Sequence, residues 1–354
     1  MIETEPYLFD LSYERLVAYF QSIGEPAYRV DQLWTAAYTH MIHDFDQVSA
    51  FPIRLRSRLA REMRFSHLTT GKRLTSTDGE TIKFLFTLPE GNLIESVLMH
   101  YNERQTLCIS SQVGCAMGCV FCATGQMGFK RNLSAGEIIE QVLFLGRELE
   151  QKGEQITNIV IMGMGEPFHN YDAVLEAIDR LNDPKGLALG ARRFTISTVG
   201  IIPGIRRFAS EKRQVNLAIS LHAANDTLRS ALLPVNRKYP LTELMEACRE
   251  YVALTNRRLT FEWALIRDVN DTLEHAYELA ALLKGLLCHV NVIPLNPTTN
   301  YPGKATTEER AREFKQALEN LGIPCTIRLR RGIDISAGCG QLAARHVAAR
   351  HTYR

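Results

Sequence analysis

The alternation that begins near Thr106 constrains this chain more than any other feature. Short apolar runs, TLCISS, NIVIMGM, RFTIST, VNLAISLH, LTFEWALI, HVNVIPL and CTIRLR, are mostly separated by longer segments with helical spacing. Strand, helix and strand in succession make a β/α unit, and consecutive units build a parallel sheet covered by helices. The helix limits are legible too. SAGEIIEQVLFLGRELEQ opens on Ser134-x-x-Glu137, which has the form of a capping box, and DTLEHAYELAALLKG closes at Gly285. The number of units suits an open barrel of about six better than a closed one of eight.

The first 65 residues differ from the rest. LSYERLVAYFQSIG carries an apolar stripe through Leu11, Leu16, Val17 and Phe20, and FPIRLRSRLAREMR places Pro52 at a helix start with Arg54, Arg58 and Arg61 on one face. A β-rich stretch, 66–105, follows, with turn signals at Asp78-Gly79 and Glu90-Gly91 and clear alternation in TIKFLFTLP. The expected fold class is α/β: a partial (β/α)6 barrel over 106–354, a helical accessory domain over 1–65 and a β-rich connector between them.

Composition sets limits on function. Net charge is +2 over 354 residues, so there is no global basic signal, although Lys130-Arg131, Arg328, Arg330 and Arg331 and the Arg54 to Arg64 face are candidate phosphate contacts. The N-terminus lacks a basic-then-apolar leader and no apolar run has membrane-spanning length, so a cytoplasmic location without membrane contact is expected. Thiols stay reduced there, and clustered cysteines then point to a metal site or to redox chemistry.

Four of the 8 cysteines fall between Cys108 and Cys122. Cys115, Cys119 and Cys122 have the spacing C-x3-C-x2-C. A structural zinc site wants four protein ligands; Cys108 is seven positions away in an expected strand, and no histidine is close. An iron–sulfur cube normally takes four thiolates, so three leave one iron with an open position. S-adenosylmethionine can occupy such a position through its amino and carboxylate groups, and one electron then splits its C–S bond. Gly114 and Gly118 let the loop wrap closely around a cluster.

Cys115-Ala-Met-Gly-Cys119-Val-Phe-Cys122 resembles the radical S-adenosylmethionine signature, and the Gly-x-Gly-Glu-Pro loop after the next strand strengthens the likeness. More of the chain is similar to the RlmN/Cfr family of radical RNA methyltransferases: SSQVGC, CATGQMGFKRNL, MGMGEP, STVGIIPGI, SLHA and DISAGCGQLA occur in the family's order, from about Glu95 to Leu342. The resemblance implies methylation of adenine carbon 2 in 23S ribosomal RNA and in transfer RNA. It implies a 4Fe–4S cluster on Cys115, Cys119 and Cys122 and two S-adenosylmethionine molecules per turnover. A reducing electron donor protein is a further implied partner, and the chain is expected to be a monomer.

Residue roles follow from the same resemblance. Cys339 corresponds to the cysteine that is methylated and then joined to the base. Cys108 corresponds to the thiol that attacks the Cys339 sulfur, forming a disulfide and freeing the product. Glu95 corresponds to the base that takes a proton from the adduct, and its phase with Leu93, Val97 and Met99 predicts burial, which would raise its pKa. Gly165 and Glu166, Ser197, Ser220, Leu221, His222 and Asn296 match contacts to S-adenosylmethionine at successive strand ends. Gly332, Gly338 and Gly340 give the backbone around Cys339 freedom, and Ala337-Gly338 stands where family members often have Ala-Ala. Cys248, Cys288 and Cys325 are scattered and read as core thiols. Three other readings remain: methylation at adenine carbon 8, radical activation of a protein partner, and zinc-dependent RNA binding.

Overall fold

The computed structural model describes residues 5–296, 298, 300–328, 330–332 and 334–337. Cys339, Gly338 and Gly340 lie outside the described residues. The N-terminal region holds α1 (Tyr13–Ser22), α2 (Tyr28–Trp34), which runs into a π turn at Thr35–Thr39, and α3 (Ile53–Glu62). Ser12 caps α1 through its side chain, and Gly24 follows the helix with φ +79°, where a residue with Cβ would be strained. Leu16 and Phe20 of α1 and Leu55 and Leu59 of α3 turn inward into one apolar core shared with the rest of the chain.

The sheet strands follow: β1 (Thr69–Thr75), β2 (Thr81–Thr87), β3 (Leu93–Tyr101) and β4 (Arg104–Cys108). A small hairpin of β5 (Gln112–Gly114) and β6 (Phe129–Asn132) brackets the cysteine loop and the short α4 (Ala123–Gln126). Then come α5 (Ala135–Glu150), β7 (Asn158–Ile161), α6 (Tyr171–Asn182), β8 (Phe194–Thr198), α7 (Ile202–Ser210), β9 (Asn216–Ser220), α8 (Asp226–Leu232) and α9 (Leu241–Thr255). The last elements are β10 (Leu259–Leu265), α10 (Leu273–Leu283), β11 (Cys288–Pro294), α11 (Glu308–Asn320) and β12 (Cys325–Ile327). Strands stand at all seven places where the alternation predicts them.

The large sheet has the order β1-β2-β3-β4-β7-β8-β9-β10-β11-β12 and is open, with β1 and β12 at its edges. From β4 to β12 every pairing is parallel, as the crossover helices require. β1 to β4 pair antiparallel and continue the same sheet. The 66–105 stretch is thus a wall of the barrel. Both faces of β2 are buried from Thr81 to Phe86, so its alternation separates an inner from an outer side, not a buried from a wet one.

The N-terminal segment is tied to the barrel by polar groups. His67 lies between Asp10 (Nε2 to Oδ2, 2.8 Å) and Glu140 of α5 (Nδ1 to Oε1, 2.5 Å). Burial alone would pull its pKa down, but the hydrogen bonds and charges of those two carboxylates outweigh it and raise it to about 9. Arg180 of α6 donates to the Phe9 carbonyl at 2.7 Å. The Ser134–Glu137 capping box forms as expected at the start of α5.

Candidate active site

The sheet register decides what faces the barrel interior. Val97 pairs with Cys108, Cys108 with Val160 and Val160 with Thr195, so these side chains share one face. Nearer the strand ends, Ser220 pairs with Glu262 and Glu262 with Asn291. Where β4 and β7 to β11 finish, this inner face opens into a cavity of about 320 Å³. Cys108, Cys115, Cys119 and Cys122 border it, as do Gly165, Glu166, Ser197, Ser220, His222 and Asn296. Residues about 190 positions apart in sequence thereby meet in one place, at the end of the barrel where parallel strands present functional groups.

The cysteine loop is fixed by close backbone contacts. Gly114 has φ +76°, and a Cβ there would sit 1.9 Å from the Gly128 carbonyl oxygen, so only glycine fits. That oxygen accepts from the Cys115 N–H at 2.9 Å, and the Val120 N–H donates to the Leu232 carbonyl at 3.1 Å. Cys115 and Cys119 are buried and Cys122 is half-buried. Burial pushes the Cys115 thiol up to about 12 and moves Cys119 and Cys122 in the same direction, so thiolates here call for a cation to offset burial.

Glu166 shows how the next strand end is built. Gly165 has φ +108°, and a Cβ there would lie 2.6 Å from the Gln112 Cβ, so the loop can press against β5 only with glycine. The Glu166 N–H donates to Gln112 Oε1 at 2.8 Å. Its carboxylate is buried and accepts from the Phe168 N–H (3.0 Å) and the Val199 N–H (2.9 Å). Burial raises the carboxyl pKa to about 7 against the pull of those donors. The result is a negative group of adjustable protonation aimed at the cavity, suited to an ammonium.

Ser197 and Ser220 place their hydroxyls 3.3 Å apart. His222 accepts the Ala264 N–H on Nδ1 at 2.9 Å, which leaves the ring proton on Nε2. Burial, with Arg229 nearby, depresses its pKa to about 3, so the ring is neutral. Phe121 of the cysteine loop meets that ring edge-on with centroids 5.0 Å apart. Asn296 accepts from Arg330 Nε at 3.4 Å.

Two expected residues are placed otherwise. Leu221 follows Ser220, and neighbouring side chains in a strand point to opposite faces. Its side chain is fully buried in the core, its N–H donates to the Glu262 backbone carbonyl and its own carbonyl accepts from Arg229; it does not border the cavity. Glu95 is buried on the inner side, in phase with Val97 and Met99 as expected, but it does not border the cavity itself. Lys83 of β2 stands 2.7 Å from its Oε1. Cys108 is half-buried; burial raises its thiol to about 11, while the Arg328 guanidinium pulls the other way. Cys248, Cys288 and Cys325 are buried core residues, as read.

Three charged residues escape a reading of the sequence. Arg229 is fully buried and donates to the carbonyls of Val199 and Leu221 and to Asn236 Oδ1, pinning two strand ends together. Glu262 is buried on the inner face, accepts from Asn291 and lies 3.7 Å from Arg328. Lys83 has no exposed side-chain surface. Among the expected phosphate contacts, Arg131 is held by Glu137 and Glu90, whereas Arg54 and Arg61 are exposed on α3. A larger open groove of about 590 Å³ lies between α1 and α6, but its carboxylates and guanidiniums largely pair with one another.

Comparison with known proteins agrees with this geometry. The radical SAM superfamily model matches residues 109–280, and the ribosomal RNA large subunit methyltransferase N-terminal domain model matches 7–64. The chain is 50% identical over 342 residues to the dual-specificity RNA methyltransferase RlmN 1 of Myxococcus xanthus, covering 97% of this chain and 95% of that one. The chain belongs to the RlmN family. A radical SAM methyltransferase from Sphaerobacter thermophilus superposes with a TM-score of 0.93 at 50% identity, covering 95% of this chain and 98% of that structure. As a member of the RlmN family the protein is a radical S-adenosylmethionine methyltransferase acting on RNA. No helix among the described residues is long and apolar enough to cross a membrane.

Proposed function

We propose that this protein methylates carbon 2 of a specific adenine in 23S ribosomal RNA, and in transfer RNA, within the cytoplasm. The supporting observation is the convergence of Cys108, the three loop cysteines and Glu166 on one cavity at the strand ends. The residues fit the cofactors. Three buried or half-buried loop thiols border the cavity together. Three thiolate donors suit a 4Fe–4S cube, in which each binds a different iron and the fourth iron keeps an open position. Bound on Cys115, Cys119 and Cys122, the cluster would supply the electron that splits S-adenosylmethionine.

The chain's own residues do the rest. Glu166 receives the cofactor ammonium, with Ser197, Ser220, His222 and Asn296 around the remainder, and Leu221 fixes the strand end behind them. Cys339, methylated in a first step, carries the methyl carbon to the base and is joined to it. Glu95 takes the proton from that adduct. Cys108 attacks the Cys339 sulfur: the sulfur–carbon bond breaks, its electron pair stays with the methylene carbon, which takes up a proton equivalent to the one lost from the Cys108 thiol, a disulfide forms, and the base leaves methylated. An external donor then reduces the disulfide. The adenine reaches the cavity by leaving its stack, and the helical unit over 1–65, with Arg54 and Arg61 exposed, is the part proposed to contact RNA.

Trapping tests this. Cys108→Ala accumulates a covalent RNA–protein adduct through Cys339, detected by mass spectrometry, and wild-type product is 2-methyladenine. Free methylated product at normal yield from the variant removes the release role. The 8-methyl isomer would move the reaction to the other carbon, and activity retained in Cys339→Ala would remove the methyl-carrier role.

A further inference from the structure

A buried lysine needs an electrostatic reason, because taking an ammonium out of water is unfavourable unless it is paired and hydrogen-bonded. Among the described residues, Lys83 has such partners in distant parts of the chain. Its Nζ is 2.7 Å from Glu95 Oε1, and it also donates to the carbonyl of Ser336. Glu95 is the proposed base, and Ser336 lies three residues before Cys339. One ammonium thus bridges the wall that carries the base and the segment that leads to the methyl carrier.

That bridge is one of several. The exposed turn between β1 and β2 grips the same segment: the Thr77 N–H and hydroxyl both donate to Asp334 Oδ2, at 2.7 Å and 2.6 Å. Arg331 Nη1 reaches Glu80 Oε2 at 3.1 Å and the His100 carbonyl at 2.8 Å, and its guanidinium lies over the Tyr101 ring. The Ala337 N–H donates to the Gly332 carbonyl at 2.9 Å, closing a turn. Gly332 sits at φ +59°, and a Cβ there would lie 2.7 Å from the Ala337 Cβ and 2.9 Å from Thr81 Cγ2. The turn therefore fits against β2 only with glycine at that place.

We propose that β1 to β3 form a seat for a strap made of residues 331, 332 and 334–337, and that Lys83 is a positioning residue which couples the seated strap to Glu95. The inference rests on the reading of Cys339 and Glu95 given above, but its first test does not. A cysteine that must meet both RNA and Cys108 needs a defined resting place between encounters, and groups held by hydrogen bonds can be released and recaptured. Lys83, Thr77 and Asp334 supply that place.

Amide hydrogen exchange on the full chain, without RNA or cofactor, tests the seat. Loss of a charge-assisted hydrogen bond predicts that amides of the strap exchange at least about tenfold faster in Lys83→Met and in Asp334→Ala. Asp334 is exposed, so its variant keeps the fold even if Lys83→Met does not. Unchanged exchange in Asp334→Ala overturns the seat, whatever the reaction proves to be. Steady-state kinetics test the coupling: kcat falls about tenfold or more in each variant while KM for RNA stays within about twofold, with Asp334→Glu restoring part of kcat. Faster exchange with unchanged kcat overturns the positioning role and leaves the strap only a structural contact.

Discussion

Replacing Glu166 by glutamine removes a charge that burial opposes. The wild-type carboxyl is raised from 4.5 to about 7. Between those two pH values the unfolded chain has lost its proton while the folded chain still holds it. Stability therefore falls as pH rises through this window and levels off above about 7. At about 1.36 kcal/mol per pH unit the loss comes to roughly 3 kcal/mol. Glutamine does not titrate, but its amide must set an N–H group against either the Phe168 or the Val199 N–H, each of which now donates to a carboxylate oxygen. That costs about 1–3 kcal/mol at every pH. Stabilities from urea unfolding of cofactor-free wild type and Glu166→Gln, measured from pH 4.5 to 8, should thus shift relative to each other by roughly 3 kcal/mol: wild type leads by about 1–3 kcal/mol in acid, and the curves meet or cross by pH 8. Parallel curves would mean that the fold leaves this carboxyl at its ordinary value.

Other outcomes follow from particular contacts. Gly165→Ala combines a φ of +108° with a Cβ pressed to 2.6 Å from Gln112, and should cost roughly 2–5 kcal/mol by urea denaturation. Arg229→Met leaves the Val199 and Leu221 carbonyls and Asn236 without their donor, and should cost roughly 3–5 kcal/mol, with weaker S-adenosylmethionine binding by calorimetry. His67 is raised to about 9, so its contribution is full below pH 6.5 and is lost as pH rises through 9; His67→Asn should flatten the alkaline limb of the stability curve. RNA affinity should fall steeply with salt, and replacing exposed Arg54 or Arg61 by alanine should lower the log–log slope by about one each.

Much of this architecture is legible in the sequence because its signals are local. Each parallel strand is an apolar run and most crossovers carry helical periodicity, so their order follows. The cysteine loop is legible because its spacing is chemical. The 66–105 stretch is harder: TIKFLFT alternates, but Thr81 and Lys83 point into a barrel and not into water. In a sheet buried on both faces, period-2 alternation distinguishes two interiors, and sequence cannot say which one is polar. Lys83, Arg229 and Glu262 are missed for the same reason. Each looks like an ordinary surface charge until partners far away in the chain are known: Ser336 for Lys83, Val199 for Arg229 and Arg328 for Glu262. Cys108 is the converse case: the family resemblance singles it out in the sequence, and the register then brings it to the cavity with the loop thiols.

The proposed chemistry needs the three loop thiols to bind a cluster that leaves room for S-adenosylmethionine beside Glu166. Anaerobic reconstitution followed by iron and sulfide analysis, with a strong reductant and S-adenosylmethionine then added, tests it most directly. Wild type should hold about four irons and four sulfides per chain and release 5′-deoxyadenosine, and Cys119→Ser should lose both. Zinc in place of iron, or iron-loaded wild type that leaves S-adenosylmethionine intact under reduction, would contradict it.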